Sequence, residues 1–114
     1  MTPAQFRKLA LALPEAEASS HMGHPDFRVG GKVFATLGYP DAGWGMAKLT
    51  PDQQDAFMAM KPEVFKPAAG AWGLRGATCV LLKDAPAGLV RDALKAAWTN
   101  TAPKSLLEPK KARR

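Results

Sequence analysis

Two histidines, His21 and His24, stand three residues apart, with Asp26 two further on. Two imidazoles and a carboxylate are metal-ligand types. They fall where the chain enters an extended run, however, and no second cluster supplies a fourth ligand. The spacing fits better with His24-Pro25 shaping the entry to that run and an imidazole bonded to backbone or to Asp26, so no metal is expected. Nucleophilic chemistry has less support. Cys79 lies inside Thr78-Cys79-Val80-Leu81-Leu82, where a thiol behaves as a small buried hydrophobe with a raised pKa. Ser19, Ser20 and Ser105 lack the glycine-flanked elbow of a hydrolase, and Ser20 beside His21 is a chain neighbour, not a dyad. Glu15 and Glu17 follow Pro14 in a polar stretch and read as solvated. Gly31-Lys32 lacks the rest of a phosphate loop, and Gly73-Leu74-Arg75-Gly76 precedes a strand, not the second helix that its pattern requires in a KH domain. No catalytic residue and no cofactor is expected.

Aromatic and basic residues interleave more productively. Arg28 and Lys32 flank a Gly-Gly turn, Trp44 and Lys48 share one strand face, and Trp72 precedes Arg75 by three residues. Tryptophan beside Lys or Arg can stack on bases and touch phosphates. The C-terminal residues Lys104, Lys110, Lys111, Arg113 and Arg114 add cations. A second arrangement gathers His24, Arg28, Trp72 and Arg75 around a pocket for a small anionic ligand. A basic surface for a protein partner fits the same residues.

The elements that must position these groups follow from pattern. Thr2-Pro3-Ala4-Gln5 and Thr50-Pro51-Asp52-Gln53 are the same helix start, a threonine cap, a proline at the first helical position and a glutamine to close a capping box. Phe6, Leu9, Ala10 and Leu13 make one apolar face before Pro14; Phe57 and Met60 make another before Pro62. Leu89, Ala93 and Ala97 run beside Val90, Leu94 and Trp98 as a wide helical stripe. Between the helices, residues 26–29 and 32–37 form a hairpin around Gly30-Gly31, with Phe27 opposite Phe34 and Arg28 opposite Val33. Residues 44–49 are a third strand. Residues 78–82 are a fourth, apolar enough to be interior. The stretch 61–77 holds at most a short strand at Val64-Phe65 and another around Trp72. The order gives an α+β fold, an antiparallel sheet with three main helices mostly on one face.

Chain-wide numbers set the limits. The 114 residues suffice for one domain with one core. Hydrophobic residues at 46% and charged residues at 23% exclude wholesale disorder. No apolar run is long enough to span a membrane, no secretory signal is read at the N-terminus, and the single cysteine points to a cytoplasmic setting. The net charge of +6 is unevenly placed. Residues 101–114 hold five basic groups against Glu108, a net of +4, which leaves +2 on the rest. The chain therefore divides into an α+β domain at 1–102 and a basic, flexible tail at 103–114 that raises affinity for polyanions without sequence preference.

His21-Met22-Gly23-His24-Pro25-Asp26-Phe27-Arg28-Val29, the Gly-Gly hairpin, Lys48-Leu49-Thr50-Pro51, Pro62-Glu63-Val64-Phe65, Trp72-Gly73 and Ala97-Trp98 together resemble the MmcQ/YjbR-like proteins over about residues 2–102. The resemblance implies a double-wing, frataxin-like α+β fold and a DNA-binding role. Many members carry a histidine directly before the tryptophan that Trp72 matches; here that residue is Ala71, so no role of that histidine carries over. The expectation is a cytoplasmic binding domain, not an enzyme, with DNA as ligand through Lys/Arg contacts, and a small anion or a protein as the alternative.

Overall fold

The computed structural model describes residues 1–107. Both threonine-capped helices form as their sequences dictate. Helix α1 (Pro3–Leu11) and helix α2 (Pro51–Met60) each carry a complete capping box, Thr2 with Gln5 and Thr50 with Gln53. Each threonine cap contributes about 1 kcal/mol over alanine. The chain leaves α1 at Ala12, two residues before Pro14.

A six-stranded antiparallel sheet follows, with β1 (Glu17–His21), β2 (His24–Val29), β3 (Lys32–Leu37), β4 (Trp44–Lys48), β5 (Phe65–Pro67) and β6 (Ala77–Leu81) in the spatial order β1-β2-β3-β4-β6-β5. The remaining helices are α3 (Gly70–Leu74), α4 (Ala87–Thr101) and α5 (Lys104–Leu107). Helices α1, α2 and α4 bury Phe6, Phe57, Val90, Leu94 and Ala97 in one cluster with Phe27, Phe34, Leu37 and Val80 of the sheet. The fold is α+β, as expected from the order of elements, with its main core on the helix side. The opposite face carries only a small cluster of Met46, Ala68, Ala77 and Cys79, with Tyr39 and Trp44 packed against it.

Four local expectations are corrected. The polar stretch after Pro14 contains strand β1, every residue of which is exposed. An edge strand solvated on both sides has no apolar alternation, so only its ladder to β2 and the Met22-Gly23 turn define it. Both turn residues have positive φ, 51° and 83°, the geometry of a two-residue hairpin turn. In the second hairpin Val29 faces Lys32 and Arg28 faces Val33, but a bulge between Phe27 and Arg28 moves Phe27 opposite Ala35 instead of Phe34. The bulge lets Phe34 and Ala35, adjacent in sequence, both be buried. Trp72 lies on helix α3, not on a strand. Met60 ends α2 more than half exposed, and the buried partner of Phe57 on that helix is Gln54.

The region expected to be a flexible tail begins with α5, and Leu106 packs against the edge of the main core. Gly30 is closely approached by Pro103, whose ring would lie 2.9 Å from any side-chain carbon there. Lys110, Lys111, Arg113 and Arg114 lie outside the described residues.

Candidate functional site

Paired residues of an antiparallel sheet share a face, so the register alone aligns Ser19, Asp26, Thr36, Met46, Cys79 and Lys66 in a row across the face away from the helices. Along β4 that same face presents Trp44 and Lys48. Helix α3 lies at the edge of this face and brings Trp72 over it. Two neighbouring clefts result, with Trp72 as a wall of both.

The first, about 290 Å³, is lined by Lys48, Trp72, Arg75, Asn100 and Thr101 with Leu49 and Ala77. Asn100 donates to the Lys48 carbonyl at 3.1 Å and to Gln53 Oε1 at 2.7 Å, tying the end of α4 to β4 and to the start of α2. Among the described residues neither Lys48 nor Arg75 forms an ion pair. Further along the face, Lys66 Nζ sits 4.6 Å over the Trp44 ring, a cation–π contact.

The second cleft, about 420 Å³, is lined by His21, Met22, His24, Asp26, Thr36, Tyr39 and Trp72. Met22 is 85% exposed at the β1–β2 turn and Trp72 51%. Tyr39 and Trp72 meet at a ring separation of 6.4 Å and an angle of 58°. The floor is polar and covered. Asp26 is buried and accepts hydrogen bonds from Arg28 Nε at 2.9 Å and Nη2 at 3.1 Å, while the buried Thr36 hydroxyl has no partner among the described residues. Gly38 borders this cleft because a side-chain carbon there would stand 3.2 Å from His24 Nδ1.

The residues singled out from sequence are thus divided by the fold. Lys48, Trp72 and Arg75 come together, and Trp44 shares their face. Arg28 spends two donors on Asp26, and its pKa is raised by that hydrogen bond and by the charge of Asp26. The expected pocket of His24, Arg28, Trp72 and Arg75 does not assemble: His24 and Trp72 line one cleft, Trp72 and Arg75 the other, and Arg28 lines neither. Lys32 and Lys104 line neither cleft; they adjoin in sequence Gly31 and Pro103, which with Gly30, Glu15 and Glu17 border a separate cleft of about 370 Å³.

Of the three tryptophans, Trp98 is core and donates its indole N–H to the Pro14 carbonyl at 2.9 Å. Trp44 is half-buried, and only Trp72 is mostly exposed. Cys79 is buried on the open face, and that burial pushes its thiol pKa up while nearby Lys66 opposes the shift. Among the described residues no three of His, Cys, Asp and Glu gather as a metal-binding group.

Sequence reasoning missed Tyr39, Thr36 and Lys66, which enter the face through register and loop path. It also missed Gln54, whose amide donates to the carbonyls of Gly73 at 3.1 Å and Ala77 at 3.0 Å. A signal for Thr36 was present, a polar residue alternating with Ala35 and Leu37 in an apolar strand.

Comparison with known proteins agrees with this architecture. The family model described as YjbR matches residues 11–100. No curated protein matches the chain. A crystal structure of Deinococcus radiodurans protein DR2400, with the family-model domain DUF419, is similar in fold. It has a TM-score of 0.72 and 18% sequence identity, over 98% of this chain and 85% of that one. No helix among the described residues is long and apolar enough to cross a membrane.

Proposed function

The chain belongs to the YjbR family, and on that premise we propose that it is a cytoplasmic binding domain, not an enzyme, whose ligand is nucleic acid. The observation that carries the reading is the grouping of Lys48 and Arg75, free of acidic partners among the described residues, around the half-exposed Trp72. Trp44 and Lys66 continue the same face. Cations without acidic partners can contact phosphates, and an exposed indole can stack on an unpaired base. Together these favour a single strand over a duplex, whose bases are already stacked.

This moves the expected contacts from the hairpin to the open face. Arg28 is a structural partner of Asp26, and Lys32 borders neither cleft. The experiment is fluorescence anisotropy of labelled single-stranded and duplex DNA with the full chain and with Lys48→Gln/Arg75→Gln. The double variant should bind single strands about tenfold more weakly, with Arg28→Lys much less affected. Equal affinity of wild type and double variant would remove this face as the site.

A further inference from the structure

Trp72 walls two clefts of opposite character, and nothing in the reading above uses the second. On one side of the indole stand Lys48 and Arg75, with Asn100 and Thr101. On the other stand Met22, Tyr39, His21 and His24 over the covered Asp26–Arg28 pair and Thr36. The second cleft is largely apolar in lining, and Asp26, its one carboxylate among the described residues, is already paired with Arg28. It therefore suits an uncharged planar group and not a phosphate. At about 420 Å³ it falls within the range of sites for small ligands. Its walls are the surfaces that hold a flat ring: two aromatic side chains and a polarizable thioether. His21 and His24 at the rim offer hydrogen-bonding groups at the edge of such a ring.

We propose that the two clefts form one bipartite nucleotide site, with the phosphate between Lys48 and Arg75 and the base against Tyr39, Trp72 and Met22. This rests on the nucleic-acid reading for its ligand class but adds a requirement, that the base enters the second cleft against Tyr39 and Met22 and does not only stack on the exposed indole. The nucleotide can be free or part of a strand; the shared chemistry is a planar base joined through a sugar to a phosphate.

The test uses the full chain and calorimetric titration with adenosine 5′-monophosphate, ribose 5-phosphate and inorganic phosphate, beside anisotropy with a single-stranded oligonucleotide and its fully abasic counterpart. The mononucleotide should bind at least tenfold more tightly than ribose 5-phosphate, and the normal strand more tightly than the abasic one. Tyr39→Leu should abolish both differences while leaving ribose 5-phosphate unaffected, whereas Lys48→Gln should weaken mononucleotide and sugar phosphate alike. Met22→Ala, at a side chain exposed to solvent, should reduce the base preference with the fold intact, and serves if Tyr39→Leu does not fold.

A base preference that survives both Tyr39→Leu and Met22→Ala would overturn the base cleft and leave the nucleic-acid reading standing. Equal binding of normal and abasic strands would overturn the base cleft together with stacking at Trp72 and leave phosphate contact alone. Binding of the mononucleotide without binding of any strand would support the site and overturn the strand as ligand. Binding of neither would overturn both.

Discussion

At the scale of single residues, the pair Asp26–Arg28 separates a structural from a functional role for a basic side chain. The carboxylate is almost fully buried, while the guanidinium is about one-third exposed, its side chain having a relative accessibility of 32%. Removing the two partners should not cost the same. Arg28→Ala leaves a desolvated carboxylate without its two charge-assisted bonds and should be the more destabilising of the two. Asp26→Asn leaves a guanidinium that can turn to water, and should cost clearly less. Chemical denaturation of the two variants measures the difference, and equal losses would mean that Asp26 is rescued by another donor. Arg28→Ala should not reproduce the binding defect of Lys48→Gln/Arg75→Gln, because Arg28 borders neither cleft, whereas Asp26 lines the second.

At the scale of elements, the site depends on the seating of α3. Gly73 packs so tightly that a side-chain carbon would lie 1.9 Å from the Ala68 carbonyl oxygen. Gly76, at φ +112°, would bring one to 2.1 Å from the Leu49 carbonyl. Gln54 then bonds the carbonyls of Gly73 and Ala77 from the helix side. Gly73→Ala must push α3 off the sheet, with a loss of about 3 kcal/mol, and should move Trp72 and Arg75 together. A shifted Trp72 emission with weakened binding is the expected signature; native stability and binding would show that α3 is not held by this contact.

The legibility of the fold in the sequence follows the same division. Capping boxes, the 93/97 and 94/98 rows and the Gly-Gly hairpin were readable because each is local, a pattern within one or two turns of chain. Strand β1 was not, since a fully solvated edge strand carries no alternation, and α3 was not, since five residues are too few to show a period. For the site, Trp72, Arg75 and Lys48 were visible as residue types. Their meeting, the loss of Arg28 to Asp26 and the arrival of Tyr39 depend on register and loop path, which no spacing encodes.

At the scale of the whole molecule, helices occupy one face of the sheet and leave the other open, while most of the net charge lies beyond residue 100. These two facts separate affinity from selectivity. Lys110, Lys111, Arg113 and Arg114 add attraction to any polyanion, whereas stacking at Trp72 requires an unpaired base. A chain ending at Leu107 keeps the Leu106 contact with the core and loses those four cations. Each phosphate contact on a single strand contributes roughly 0.7 to the slope of log affinity against log salt. Truncation should therefore lower the slope by up to about 3 if all four cations touch phosphates. Titrations between about 50 and 200 mM salt resolve such a change. The truncated chain should bind more weakly to every strand and still prefer single strands to duplex. If its preference disappears together with its affinity, discrimination belongs to the tail and the open face is not a nucleic-acid site. If the preference survives at a reduced slope, the fold selects and the tail only concentrates the ligand, and Trp72 is the side chain at which the selection occurs.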